Sequence, residues 1–314
     1  MVKVALAGCA SGFGRNILEA ILATNKHSIV LLSRSPKPDL TARGVDIVAV
    51  GSYNDHAQLV SALRGVETVI STIVTFDEEY GEAQIRLLKA AKEAGVRRFA
   101  PSEWAMKTNE GVDLYAPKIK VWKACEASGL EYTRFACGIL TNTMVAGTPH
   151  NETEALSGLR PWNFIINIPA GTADIPGSHS NPARVTYISA QDCGKFVAAA
   201  LDIKEKWWPE MGHMVGATTT YDKIVEAAER ITGRTFLRKY VGRSELEELA
   251  KDPSKKFYNQ IRIGIVDGWS DIEPNLNALL PHVKPQTVEQ YLRKYWEGVQ
   301  LPEPVWGEDL IAVA

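Results

Sequence analysis

The sequence predicts an α/β protein built on a doubly wound parallel sheet, with a smaller C-terminal region. Two observations support this fold class. Short, apolar, β-branched segments alternate with helical patterns through the first half of the chain, which is typical of strands buried on both faces between helices. The first of these segments, residues 2–7, runs directly into a glycine-rich loop and then into a helical pattern that begins at Asn16.

The glycine-rich loop places Gly8, Gly12 and Gly14 between the first strand and the first helix. Glycine allows a sharp turn off the strand, a close backbone approach to a pyrophosphate, and tight packing of the helix on the sheet. Free N–H groups at the helix N-terminus then face the phosphates. The loop predicts a Rossmann dinucleotide-binding fold with Ser11 and Phe13 also at the cofactor, although its spacing is G-x-x-x-G-x-G rather than G-x-G-x-x-G.

The later elements of the sheet follow in alternation. Further strands are predicted at residues 27–33, 45–50, 67–73, 97–100 and 132–137, and helices at 16–23, 55–63, 80–94 and from Pro117 onward. Connections in such a repeated β-α pattern are right-handed, so helices cover both faces of the sheet.

The pattern loosens after Gly138. Strands are predicted at 162–168, 185–188, 214–217 and 236–241, helices at 190–201, 221–232, 244–250 and 285–297, a long loop at 170–183, and an apolar tail at 304–314. We assign residues 1–150 to the dinucleotide-binding domain, with elements that return to it at about 185–217. Residues 151–314 form the smaller region, which caps the sheet and binds the substrate.

The end of the second predicted strand indicates which dinucleotide binds. In this fold an acidic residue there binds the ribose 2′-hydroxyl, whereas an arginine accepts a 2′-phosphate. The strand is followed by Arg34 and by no acidic residue. The sequence therefore predicts NADP(H), with Lys37 or Arg43 assisting Arg34 and with Thr72, at the carboxyl end of the fourth strand, also in the cofactor site.

Composition narrows the class of ligand. The chain has 314 residues, a hydrophobic share of 45%, a charged share of 23% and a net charge of -2. These values fit an ordinary globular protein and give no electrostatic footprint for direct nucleic-acid binding or for an acidic membrane surface. We expect a cytoplasmic monomer or homodimer that binds a small molecule. Four cysteines without a C-x-x-C spacing predict reduced thiols and no metal site.

Several stretches resemble the atypical short-chain dehydrogenase/reductases of the isoflavone reductase-like and NmrA-like group. The likeness covers most of the first 200 residues. It is carried by the glycine loop, by LVSALRGVETVIS at 59–71, by LLKAAKEAGVRRFAPSE at 87–103, by KIKVWKACEASGLEYT at 118–133 and by residues 185–201. The resemblance implies an NADPH-binding fold with a substrate cleft between the sheet and the C-terminal region. It also implies that Lys118, on the lysine-bearing helix, takes part in proton transfer.

Two features depart from the pattern. The glycine spacing is that of classical short-chain reductases, whereas the resembled group usually has G-x-x-G-x-x-G. The Tyr-x-x-x-Lys pair of the classical enzymes is absent, because Tyr115 precedes Lys118 by three positions. Pro117 is best placed in the first helical turn, which leaves Tyr115 outside the helix and argues against a Tyr115–Lys118 catalytic pair.

The chemistry expected at the site centres on Lys118, which is predicted either to act in catalysis or to bind the nicotinamide ribose at the carboxyl edge of the sheet. A lysine in the first helical turn feels the positive end of the helix dipole. Partial burial by a cofactor and an apolar substrate is expected to lower its pKa further, toward a value useful for acid–base work. Ser102 is predicted either to polarise a substrate carbonyl or to cap a turn. Trp104 and Trp162 are predicted to wall an aromatic substrate pocket, and His179 is a candidate donor to a substrate oxygen.

The leading functional hypothesis is an NADPH-dependent reductase that transfers hydride to a carbonyl or a conjugated double bond of a small aromatic or polyketide-like molecule. Two alternatives stay open at this point. One is an NmrA-like regulator that senses the dinucleotide without turnover, and the other is an isomerase or cyclase that keeps NADPH only as a scaffold.

Overall fold

A six-stranded parallel sheet organises the first half of the chain in the computed structural model, which describes residues 1–307. Its strands are β1 (Lys3–Ala7), β2 (Ser28–Ser33), β3 (Asp46–Ala49), β4 (Thr68–Ser71), β5 (Arg98–Ala100) and β6 (Glu131–Tyr132). Their spatial order is β3-β2-β1-β4-β5-β6, and every neighbouring pair is parallel. The strand order reverses between β1 and β4, which is where ligands bind in open α/β sheets.

Helices cover both faces of this sheet. The connecting helices are α1 (Gly12–Thr24), α2 (Pro38–Thr41), α3 (His56–Leu63), α4 (Glu78–Glu93) and α5 (Ala116–Ser128). Alternate residues of β1 show the two layers: Val4 and Leu6 lie in one buried cluster with α1, whereas Ala5 and Ala7 lie in another with α3, α4 and α5. Alternation along a strand sends successive side chains to opposite faces, so the predicted doubly wound Rossmann fold is confirmed.

The second half of the chain adds two smaller sheets and seven helices, in residues 1–307. The elements are β7 (Ile139–Leu140), α6 (Glu152–Leu156), β8 (Ile166–Asn167), β9 (Thr172–Ser178), β10 (Asn181–Pro182), β11 (Arg184–Ile188), α7 (Ala190–Ala200), β12 (Ala217–Thr220), α8 (Tyr221–Thr232), β13 (Leu237–Val241), α9 (Arg243–Leu249), α10 (Lys256–Val266), α11 (Asn275–Leu279) and α12 (Val288–Trp296). Helix α7, at residues 190–200, returns to the first sheet and packs against α1. The two helices are so close that a Cβ on Gly194 would lie 2.4 Å from the Asn16 carbonyl oxygen. The division at residue 150 stays a prediction, and the apolar tail beyond Gly307 lies outside the described residues.

The sixth strand is shorter than predicted. It ends at Tyr132 instead of reaching Cys137, because the next backbone groups bond to loops: Arg134 N–H donates to the Pro209 carbonyl (2.8 Å) and Cys137 N–H to the Ala105 carbonyl (3.0 Å). The chain then enters a separate sheet of order β12-β11-β7.

The prediction of a long loop at 170–183 is wrong. These residues form β9 and β10, an antiparallel pair, and β9 also pairs with β13 in parallel and with β8. Proline has no N–H to donate. Strand β9 tolerates Pro176 because β10 pairs only with Gly177 and Ser178, so β10 does not lie opposite the nitrogen of Pro176. Pro182 lies on the edge strand, where a missing donor costs little.

Four helices, α2, α6, α10 and α11, were not predicted, and the strand expected at 214–217 begins at Ala217 instead. Helix α10 contains Gly264, which lowers its intrinsic propensity. A Cβ at that position would lie 2.3 Å from the indole of Trp269, so this helix depends on a tertiary contact that requires glycine.

Candidate functional site

The glycine loop brings β1 and α1 against the end of β4. Gly8 has φ +81°, and a Cβ there would lie 2.8 Å from the carbonyl carbon of Thr72. A Cβ on Gly14 would lie 2.4 Å from the Thr72 hydroxyl oxygen. Both distances are too short for any side chain, so these two glycines are required by the close approach of the loop to Thr72.

The N-terminus of α1 opens onto a groove. Ser11 occupies the N-cap, but its side chain makes no capping hydrogen bond to the helix. Gly12 has φ +58°, and the nearest atom to an ideal Cβ there, the Gly158 carbonyl oxygen, is 3.8 Å away. The first N–H groups of a helix have no partner within it. This end of α1 therefore has both the donors and the space that an anionic group needs.

The groove has a volume of about 680 Å³ and runs along the carboxyl ends of β2, β1 and β4. Four of the predicted cofactor residues line it: Gly8, Ser11, Arg34 and Thr72. Lys37 also lines it. Arg34 is exposed, and neither it nor Lys37 is ion-paired within residues 1–307.

The structure separates Arg43 from this pair of cations. Its guanidinium binds both carboxylate oxygens of Glu19, at 2.8 Å and 2.6 Å, on the exposed side of α1. Arg15 binds the same carboxylate, and the two arginines lower the pKa of Glu19 to about 2. Arg43 does not line the groove, so the suggestion that it assists Arg34 is wrong.

Two groove residues, and one buried residue behind the strand ends, were missed from the sequence. Tyr53 and Arg86 line the groove beside Arg34, and the Arg86 Nε donates to the Tyr53 carbonyl oxygen (2.9 Å), which ties the turn after β3 to α4. Gln84 is fully buried on α4, where its amide bonds the Thr75 hydroxyl and accepts from the Ser102 N–H (2.9 Å). A glutamine on the apolar face of a helix was a sequence signal for such a link between strand ends.

Lys118 lies in the first turn of α5 and is buried, with a relative exposure of 6%. Its ammonium donates to the main-chain carbonyl oxygen of Glu103 (3.0 Å) and lies 4.8 Å from the centre of the Tyr115 ring. Burial lowers the pKa of this amine, and the Glu103 carboxylate only partly opposes the shift. The pKa of Lys118 shifts in the predicted direction, but the protein itself buries the amine, whereas burial by cofactor and substrate was expected.

Tyr115 is the N-cap residue of α5 and Pro117 lies in the first turn, as predicted. The structure nevertheless brings Tyr115 close to Lys118. The contact is between the Lys118 ammonium and the face of the Tyr115 ring, and the two residues do not share a helix face. The same ring stacks on Phe76 (6.1 Å between centroids) and meets the edge of Phe257 from α10 (5.8 Å). Phe76 lines the groove, so an aromatic cluster of Phe76, Tyr115 and Phe257 lies between the groove and Lys118.

Trp104 and Ser102 lie after β5. The Trp104 indole is held between Phe13 of α1 (5.1 Å) and Phe135 (5.2 Å), and its N–H donates to the Ser71 carbonyl oxygen (2.8 Å). Ser102 is buried, with its N–H bonded to Gln84. Trp104 therefore braces the cofactor loop. The substrate role of Trp104 and the catalytic role of Ser102 stay predictions.

Trp162 and His179 lie apart from each other. Trp162 is partly exposed and packs on Phe164, which in turn meets Tyr258 of α10. His179 lies in the exposed β9–β10 turn, where its ring bonds the Tyr240 hydroxyl (3.2 Å). Neither residue lines the groove, and their predicted contacts with substrate stay predictions.

Residues 1–307 contain neither a metal-binding cluster nor a membrane-spanning helix. No group of three or more His, Cys, Asp or Glu side chains in that range is arranged to hold a metal ion. No helix there has the length and apolar character needed to cross a membrane.

Comparison with known proteins identifies the family. The model of the NmrA-like family matches residues 2–292. The chain belongs to the NmrA-like family. One relative of this NmrA-like protein is oxidoreductase BOA1 of Botryotinia fuckeliana (strain B05.10), 30% identical over 244 residues that cover 75% of this chain and 78% of that protein.

Solved structures confirm the fold. Isoflavone reductase superimposes with a TM-score of 0.74 at 20% identity, covering 93% of this chain and 99% of that one. The binary complex of leucoanthocyanidin reductase with NADPH from Vitis vinifera superimposes with a TM-score of 0.70 at 20% identity, over the same shares of the two chains. The family model confirms the resemblance inferred from the sequence motifs, and the solved structures confirm the fold.

Proposed function

We propose that this protein is an NADP(H)-dependent reductase of a small aromatic or polyketide-like molecule. The observation that carries the proposal is Lys118, a buried amine with a lowered pKa beside the aromatic end of the dinucleotide groove. Family membership and the relatives named oxidoreductase or reductase support it.

The groove fits the cofactor. The uncapped N-terminus of α1 suits the pyrophosphate, and Gly8 and Gly12 leave its backbone accessible. Arg34 and Lys37, cations without an acidic partner in the described chain, suit the 2′-phosphate of NADP(H). When bound, the nicotinamide supplies the hydride.

Lys118 holds and moves the proton that accompanies hydride transfer. Reduction of a carbonyl or conjugated double bond places negative charge on an oxygen or carbon, which then takes up a proton. An ammonium whose pKa is lowered by burial releases a proton more readily than an ordinary lysine does. Its hydrogen bond to the Glu103 carbonyl orients the remaining donors. We expect Lys118 to act directly or through one water.

The aromatic cluster suits a flat, apolar substrate. Phe76 is 38% exposed, and its ring lies next to those of Tyr115 and Phe257. Stacking on such rings and exclusion of water favour aromatic molecules and strengthen electrostatic interactions at the reacting atoms.

The test compares Lys118→Met with Lys120→Met in turnover of NADPH with a panel of quinones, enones and aryl ketones. Lys120 is a matched control on the same helix, exposed and paired with Glu78. We expect Lys118→Met to lose about 10²- to 10⁴-fold in kcat, with NADPH affinity from ligand fluorescence unchanged. Undiminished turnover by Lys118→Met would remove this residue from the mechanism.

A dinucleotide-binding regulator without turnover is the second candidate. It is favoured by the enclosure of Lys118, because Phe76 lines the groove whereas the buried amine does not. Tight NADPH binding with no oxidation of NADPH across the panel would support the regulator over the reductase.

A further inference from the structure

We propose that the buried Glu103 and the partly buried Arg134 form a clamp that positions Lys118. Both are positioning residues that act through Lys118, and this inference rests on the proton-transfer role proposed for it. The clamp joins three parts of the chain: the segment after β5, the segment after β6 and helix α5.

Glu103 is the centre of the clamp. It is 1% exposed, and one carboxylate oxygen accepts from Arg134 Nε (2.8 Å) and from the Asn109 side-chain amide (2.6 Å). Its main-chain carbonyl oxygen accepts from the Lys118 ammonium (3.0 Å). The same residue therefore holds Arg134 with its side chain and Lys118 with its backbone.

Arg134 connects this segment to the lysine-bearing helix. Its guanidinium bonds the Lys107 carbonyl oxygen and stacks on the Trp122 ring, 4.1 Å from the ring centre. Trp122 lies four residues after Lys118 on α5, one helical turn away. Arg134 thus fixes the distance between α5 and the segment that contains the carbonyl acceptor of Lys118.

The charges of the clamp act on Lys118 in opposite directions. The Glu103 carboxylate raises the pKa of the amine, whereas the Arg134 guanidinium lowers it. The other groups that face Lys118 are Cys137, before β7, and Tyr115, at the N-cap of α5. Since Glu103 is buried and Arg134 only partly exposed in this salt bridge, neutralising either partner leaves the charge of the other acting on the amine.

The test reads the titration of Lys118 by NMR of the full-length protein with its lysines isotope-labelled at Cε, and Lys118→Met assigns the signal. Glu103→Gln should lower the pKa of Lys118, and Arg134→Met should raise it. A role in packing alone would not give opposite shifts. In turnover, Arg134→Lys keeps the charge but loses the planar contacts, so we expect kcat to fall about 100-fold, the cost of a displacement of about 1 Å, with NADPH affinity unchanged.

Arg98→Met is the matched control. Like Arg134, Arg98 bonds a carboxylate (Glu131, 3.2 Å) and stacks on a tryptophan (Trp207, 5.0 Å), but it is 1% exposed rather than 13% and lies at the opposite end of β5. This variant should lose stability and leave the Lys118 titration in place. Shifts of the same sign in the Glu103 and Arg134 variants, or none, would overturn the clamp. If Arg134→Met does not fold, the pKa of Lys118 in Glu103→Gln decides the question: a lowered pKa supports the clamp, and an unchanged or raised pKa overturns it. Absence of turnover in the native protein would refute the reductase, whereas the titration tests the clamp without turnover.

Discussion

Replacement of Arg34 by alanine tests the cofactor assignment most directly. Arg34 lines the groove at the end of β2, is exposed, and has no ion-pair partner within residues 1–307. A hydrogen bond to a charged group contributes about 1.5–3 kcal/mol, which corresponds to roughly 10- to 150-fold in affinity. Because the site is open to solvent and Lys37 remains, we expect Arg34→Ala to weaken NADPH binding by about 10-fold at physiological salt.

The assay is titration of the protein with NADPH and with NADH, followed by cofactor fluorescence. NADH lacks the 2′-phosphate, so its affinity should change little, and the NADPH loss should shrink as salt is raised. Arg43→Ala is the control, because Arg43 is held by Glu19 outside the groove. Equal losses for both dinucleotides, or an equal effect of Arg43→Ala, would refute the assignment of the 2′-phosphate to Arg34.

Two further predictions concern stability. Gly14→Ala would place a Cβ 2.4 Å from the Thr72 hydroxyl, so we expect a loss of about 1–3 kcal/mol in the free energy of unfolding. Gly51→Ala is the control: its Cβ meets no atom within 4 Å, so this variant should unfold at nearly the native temperature. Burial lowers the pKa of His27 and His213 below the usual 6.5, so the unfolded chain binds more protons and stability should fall as pH drops below that value. Urea unfolding at pH 7.5 and 5.5 measures this slope; His27→Gln should flatten it, and an unchanged slope would contradict the histidine origin.

Much of the fold follows from local sequence. The alternation of apolar strands with helices, and the glycine loop at the first crossover, predict the parallel sheet because both signals are contained within short stretches of chain. The sequence failed where pairing is decided at a distance. Residues 170–183 resemble a loop because of their glycines and prolines, but β13 supplies a partner strand more than 50 residues later, and the prolines fall where no N–H is needed.

The site divides in the same way. The sequence alone predicts that the glycine loop, Arg34 and Thr72 follow strand ends and that Lys118 lies in the first turn of a helix, and the structure has these positions. Only the tertiary structure shows that Arg43 pairs with Glu19 of α1 and lies outside the groove. Only the tertiary structure, likewise, brings the Tyr115 ring next to the Lys118 ammonium. The Glu103, Arg134 and Trp122 contacts around that amine join segments that follow different strands. Such contacts depend on which strands lie next to each other in the sheet. A short stretch of sequence does not contain that information.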